Sequence, residues 1–138
     1  MTGFVLDASV TMAWCFGDEA TPETRTLLRR VEVEPAVVPA IWPLEVANIL
    51  TTGERRGRLN AAAVTEFLGL LDALDIRIDG APPSRGLKEI LDLARRERLS
   101  SYDAAYLDLA MREGLALATR DAALAKAARN AGVEVIPA

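Results

Sequence analysis

A chain of 138 residues, 51% hydrophobic and 26% charged, has the size and composition of one globular domain with its own core. Its formal charge of −4 excludes a protein that coats nucleic acid by bulk charge, although a local basic patch stays compatible with a phosphate backbone. The sequence contains no histidine and one cysteine, Cys15, which excludes Ser-His-Asp and Cys-His catalysis, histidine-ligated zinc and an internal disulfide, and leaves carboxylates, hydroxyls and guanidinium groups for any chemistry.

Gly3 to Leu6 is a short apolar run ending in Asp7, after which Ser9 opens a helical pattern through Phe16. A loop leads to a helix from Pro22, acidic early and arginine-rich late, as the helix dipole prefers. Val37 and Val38 mark a second strand. Pro43 suits the start of the next helix, with Gly53 or Gly57 ending it. Asn60 caps "AAAVTEFLGLLDAL", "DIRID" alternates as a third strand, and "GAPPS" is a turn with Ser84 as the cap of "RGLKEILDLARRERL". Ser100 then starts a helix, "LALAT" forms a fourth strand, "DAALAKAARNAG" is a helix closed by Gly132, and "VEVIP" is a final strand. Strands alternating with helices predict an α/β domain of three layers, α/β/α, with a central parallel sheet of four to five strands over residues 1–138. No apolar run reaches membrane-span length, and the opening "MTGFVLDASV" lacks a signal-peptide pattern, so a cytoplasmic location and no membrane partner are expected.

The stretch "LSSYDAAYLDLA" places Asp103 on the helix face of Tyr106, Leu107 and Ala110. An ionised carboxylate on an apolar stripe needs a partner. Ser100 and Asp103 have capping-box spacing, which is one solution. A second follows from the sheet, whose ligands bind at the carboxyl ends of the strands. Asp7, Glu45, Asp103 and Asp121 all map to that edge. Each has an ordinary explanation as a cap or a first-turn acid, but together they conflict: two carboxylates about 5 Å apart repel by about 3 kcal/mol at an effective dielectric of about 20. A divalent ion resolves the repulsion, and an oxygen-only donor set suits Mg²⁺ or Mn²⁺.

The motifs "LDASV", "PLEVANIL", "LSSYDAAYLDLA" and "LATRDAAL", in this order, resemble the acidic motifs of PIN-domain ribonucleases. The "AW" after the first motif and the chain length look especially like VapC, the toxin of VapBC toxin–antitoxin systems. The resemblance implies one PIN domain acting as a Mg²⁺- or Mn²⁺-dependent endoribonuclease, in which Asp7, Glu45, Asp103 and Asp121 hold the ion and a metal-activated water cleaves RNA to 5′-phosphate and 3′-hydroxyl ends. Ser9, Asn48 and Thr119 would orient those carboxylates. It also implies a VapB-type antitoxin that holds the toxin inactive, a homodimer within a larger toxin–antitoxin assembly, operator DNA met only through the antitoxin, and tRNA or rRNA as the substrate class. The rival reading is a catalytically weak or silent PIN-fold binding module.

Other residues carry less. Asp108 lies about 140° around the helix from Asp103 and pairs more naturally with Arg112. Asp72, Asp75 and Asp79 flank the third strand and match no motif. Arg55, Arg56 and Arg58, and Arg95, Arg96 and Arg98, either grip RNA or neutralise helix ends. Arg120, between Thr119 and Asp121, is placed to meet an RNA phosphate or to point into solvent. Met12, Trp14, Phe16 and Trp42 supply apolar area, either as core or as a groove for an antitoxin helix.

Overall fold

The computed structural model describes residues 2–80 and 86–138. Five parallel strands, β1 (Phe4–Leu6), β2 (Ala36–Val38), β3 (Ile76–Ile78), β4 (Ala116–Ala118) and β5 (Val135–Ile136), form one sheet in the order β3-β2-β1-β4-β5. Among the described residues seven α-helices connect them: α1 (Ala8–Cys15), α2 (Pro22–Val31), α3 (Trp42–Arg55), α4 (Ala61–Asp72), α5 (Leu87–Glu97), α6 (Ser101–Glu113) and α7 (Ala122–Asn130). A short 3-10 turn, Gly17–Glu19, separates α1 from α2. The expected α/β class and parallel sheet are therefore present, with the upper of the two anticipated strand counts.

The central strands read as uninterrupted apolar runs because both of their faces are covered. Phe4, Val5 and Leu6 are wholly buried, as are Val38, Leu117 and Ala118. On one side α6 lies against β1 and β4 and also touches α5 and α7; α1 packs with α2 and α3. The stripe anticipated on α6 is real, since Tyr106 and Leu107 are fully buried and Ala110 nearly so. Gly3 allows the entry into β1: its φ is +113°, and a Cβ there would stand 2.3 Å from the Pro35 carbonyl oxygen.

Several local expectations shift. The first helix opens at Ala8, one residue before Ser9, with Asp7 in the cap position. Gly53 lies inside α3, buried under Leu59, while its carbonyl accepts the Arg58 amide at 2.8 Å; the left-handed residue past the helix end is Gly57, at φ +74°. The α2 start carries a capping box between Thr21 and Thr24. Ser84, the expected cap before α5, lies outside the described residues. Met12, Phe16 and Trp42 are core, and the Trp42 indole donates to Thr11 Oγ1 at 3.0 Å. Half-buried Trp14 donates to the Thr24 carbonyl at 2.7 Å. These four residues therefore hold α1 to α2 and α3, as aromatic residues with a satisfied polar tip do.

Strand order decides where a ligand can go. The chain moves outward from β1 through β2 to β3, then returns across to β4 on the other side of β1. The crevice between the carboxyl ends of β1 and β4 is thus the switch point at which α/β sheets bind ligands.

Candidate active site

Asp7 follows β1 directly and sits at that crevice, only 5% exposed. Its backbone amide donates to the Ala118 carbonyl at 3.0 Å, which ties it to the end of β4. Although it occupies the cap position of α1, its side chain does not cap the helix. Instead Asp7 Oδ2 accepts two hydroxyls, Ser9 Oγ at 2.8 Å and Thr119 Oγ1 at 2.7 Å. Burial pushes the Asp7 carboxyl above its usual range, against the lowering effect of those two donors, and the nearby Asp121 charge adds to the rise.

Glu45 stands in the first turn of α3, half-buried. Its Oε1 accepts the Tyr106 hydroxyl at 2.6 Å, a contact across 61 residues of chain. Burial raises the Glu45 carboxyl, the tyrosine bond lowers it and Asp7 raises it again. Asp103 stands in the first turn of α6, half-buried. Ser100 Oγ accepts its amide at 3.1 Å, the forward half of a capping box, and the Ser100 side chain also lowers the carboxyl against the stronger effects that raise it. Burial, followed by the charges of Asp121, Asp7 and Glu45, pushes Asp103 up to about 6. Asp121 is exposed and caps α7, accepting the Leu124 amide at 2.9 Å through Oδ1; its own amide donates to Thr119 Oγ1 at 3.0 Å.

The four acids are thus brought to one edge and feel one another's charge. Among the described residues, however, no group of three or more histidine, cysteine, aspartate or glutamate side chains is gathered closely enough to enclose an ion as it stands. The chemistry of the set fits a hard divalent cation: oxygen donors only, neighbouring negative charges that raise the Asp7, Glu45 and Asp103 carboxyls, and hydroxyls that fix the most buried member.

The flanking expectations divide. Ser9 and Thr119 orient Asp7, and Ser9 Oγ also accepts the Arg120 amide at 3.0 Å. Asn48 does not join them. It is exposed on α3, and among the described residues its side chain makes no hydrogen bond to any of the four acids. Arg120 lies at the rim, with Nη1 3.5 Å from Glu19. Tyr106 is the member that sequence reasoning assigned only to packing. Its signal was available: a tyrosine on a fully apolar stripe must find an acceptor when buried.

Several of the remaining charged candidates are occupied. Arg112 bonds Asp108 at 2.8 Å and Asp79 at 2.7 Å. Arg77 bonds Asp75 at 2.9 Å. Arg58 pairs with Asp18 at 3.0 Å and Glu19 at 3.5 Å while covering the Phe16 ring at 4.0 Å, so it pins the 3-10 turn. No helix among the described residues is long and apolar enough to cross a membrane.

Comparison with known families and structures agrees with this architecture. The sequence profile of the PIN domain matches residues 4–130. The fold is similar to that in the crystal structure of PAE2754 from Pyrobaculum aerophilum, with a TM-score of 0.73 and 24% identity over 98% of this chain and 90% of that one. It is also similar to the crystal structure of FitAcB from Neisseria gonorrhoeae, with a TM-score of 0.62 and 19% identity over 97% and 96% of the two chains. No curated protein matches the sequence significantly.

Proposed function

Because the chain belongs to the PIN-domain family, whose profile covers residues 4–130, we propose that it is a metal-dependent endoribonuclease of the VapC toxin type, one PIN domain over residues 1–138. The observation that carries this reading is the acidic cluster at the β1/β4 switch point, where burial and then the charges of Asp121, Asp7 and Glu45 push the Asp103 carboxyl up to about 6. A folded chain retains such a repulsive group at a cost in stability, which a bound cation offsets.

Mg²⁺ or Mn²⁺ held by Asp7, Glu45, Asp103 and Asp121 would supply charge to offset the phosphate and would acidify a water. The chain's own residues prepare that site. Thr119 and Ser9 fix Asp7 Oδ2, and Tyr106 fixes Glu45 Oε1. Because no histidine exists to shuttle protons, protons move only through carboxylates and water. Water adds to phosphorus and the 3′-oxygen departs, leaving 5′-phosphate and 3′-hydroxyl ends on tRNA or rRNA.

A VapB-type antitoxin that silences the enzyme, a homodimer within that assembly, operator contacts made by the antitoxin and a cytoplasmic location complete the proposal. An apolar groove of about 440 Å³ along α3 and α4 supports a protein partner. Trp42, Val46, Leu50, Leu68 and Leu71 line it, and Glu54 and Asp72 offer acceptors to a basic flank.

The test is cleavage of total cellular RNA by purified protein free of antitoxin, with Mg²⁺ or Mn²⁺, against EDTA and against a folded Asp103→Asn variant. Discrete fragments that need the metal and vanish in the variant support the enzyme. RNA left intact by a folded, metal-loaded protein overturns it in favour of a silent binding module.

A further inference from the structure

A second cavity, of about 380 Å³, opens beside the acid cluster and shares Thr119 and Asp121 with it. Its far wall is the edge strand β5 and the residues after it, Val135, Ile136, Pro137 and Ala138. Its near wall is α7. Positions 121, 122, 125 and 129 fall within about 100° of one helical face, and Ala122 and Ala125 put no bulk into the cleft. Arg120 and Arg129 line it as its two cationic residues, and Glu23 and Asp121 as acidic ones.

These walls have the chemistry of a nucleotide. The apolar side accepts a base or ribose face, and the guanidinium forks match phosphate oxygens. Arg129 is exposed and has no ion-pair partner among the described residues. Arg120 has only the loose 3.5 Å contact with Glu19, and Arg58 independently holds the other oxygen of that glutamate at 3.5 Å. A phosphate can therefore take Arg120 without stranding Glu19. A chain of net charge −4 that draws a polyanion to a cluster of carboxylates needs local cations at the border of the cluster, and the two that share a cavity with it are these.

We propose that the cleft between α7 and β5 is a subsite for a nucleotide flanking the scissile bond of single-stranded RNA, with Arg120 and Arg129 as its phosphate-positioning residues and Glu19 as the competitor that Arg120 leaves. The proposal rests on the ribonuclease reading for its substrate, and its test is separable from that reading because binding is measured without turnover.

Fluorescence anisotropy of a short labelled single-stranded RNA, in EDTA and across a salt series, is the assay. Arg129→Gln and Arg120→Gln each weaken binding about five- to tenfold at low salt. Each also makes the plot of log affinity against log salt shallower by about 0.7, the value for one lost phosphate contact on a single strand. Arg129→Lys keeps the slope, and Glu19→Gln tightens binding. In Mg²⁺, Arg129→Gln raises KM more than it lowers kcat. Unaltered affinity and slope in folded Arg129→Gln overturn the subsite even if RNA is cleaved. The full salt-slope change in a protein that cleaves no RNA overturns the ribonuclease reading and leaves the cleft as an RNA-binding site without a scissile bond.

Discussion

Replacing Asp103 by Asn should make the metal-free protein more stable while abolishing its metal chemistry. The carboxyl is raised from 3.8 to about 6 by burial and by Asp121, Asp7 and Glu45. At about 1.4 kcal/mol per pH unit the whole shift corresponds to about 3 kcal/mol, and because the group is half-exposed solvent screening reduces this to about 1–1.5 kcal/mol. The direction in pH follows from linkage. An acid whose folded pKa lies above its unfolded one binds more protons in the native state, so its ionisation penalty is absent below 3.8, grows between 3.8 and about 6, and is complete above that. Asparagine removes the penalty. In EDTA at pH 7.5 the variant should therefore gain about 1–1.5 kcal/mol in urea unfolding, or about 2–5 °C in Tm for a chain of this size. At pH 4.0 the gain should shrink to a small fraction. Added Mg²⁺ should stabilise the wild type and leave the variant unmoved. A variant no more stable than wild type at pH 7.5, or equally stabilised at both pH values, would refute the argument that burial and neighbouring charges penalise the ionised Asp103.

Three further outcomes test the surrounding shell. Tyr106→Phe removes the 2.6 Å bond to Glu45, which should cost about 1.5–3 kcal/mol of stability. It should also push Glu45 further up, so that Mn²⁺ binding, which needs the carboxylate, moves to higher pH; an identical pH profile contradicts this. Thr119→Val strips a donor from Asp7 and an acceptor from the Asp121 amide, and isothermal titration should show Mn²⁺ affinity falling by about ten- to a hundredfold. Gly3→Ala forces a Cβ to 2.3 Å from the Pro35 carbonyl at φ +113° and should cost about 2–3 kcal/mol. A loss under about 0.5 kcal/mol would show that the start of β1 yields easily.

Much of the fold is legible because its signals are local. The strand β1 announces itself as an apolar run ended by an acid, and Asn60 does cap α4, accepting the Ala63 amide at 2.8 Å. Gly132, at φ +78°, follows α7 as its composition anticipates. Helix α6 shows its buried face through the 3.6-residue period alone. Where local reasoning fails, two neighbouring residues compete for one role. Asp7 and Ser9 both suit a helix cap, and Gly53 and Gly57 both suit a helix end. The choice depended on Thr119 and Leu59, which arrive from elsewhere in the chain.

The candidate site divides along the same line. The sequence by itself determined the residue types at the sheet edge: four carboxylates without a histidine, each at a strand end or in a helix first turn, because those positions follow from short-range periodicity and turn chemistry. Only the tertiary structure decided that β4 rather than β3 borders β1, and hence that Thr119 reaches Asp7 across 112 positions and Tyr106 reaches Glu45 across 61. It also decided that Asn48 faces outward and that Arg129 shares a cleft with Asp121. The physical reason is that strand order and side-chain partnership are set by how all the apolar faces are buried at once, a collective result that no single window of sequence contains.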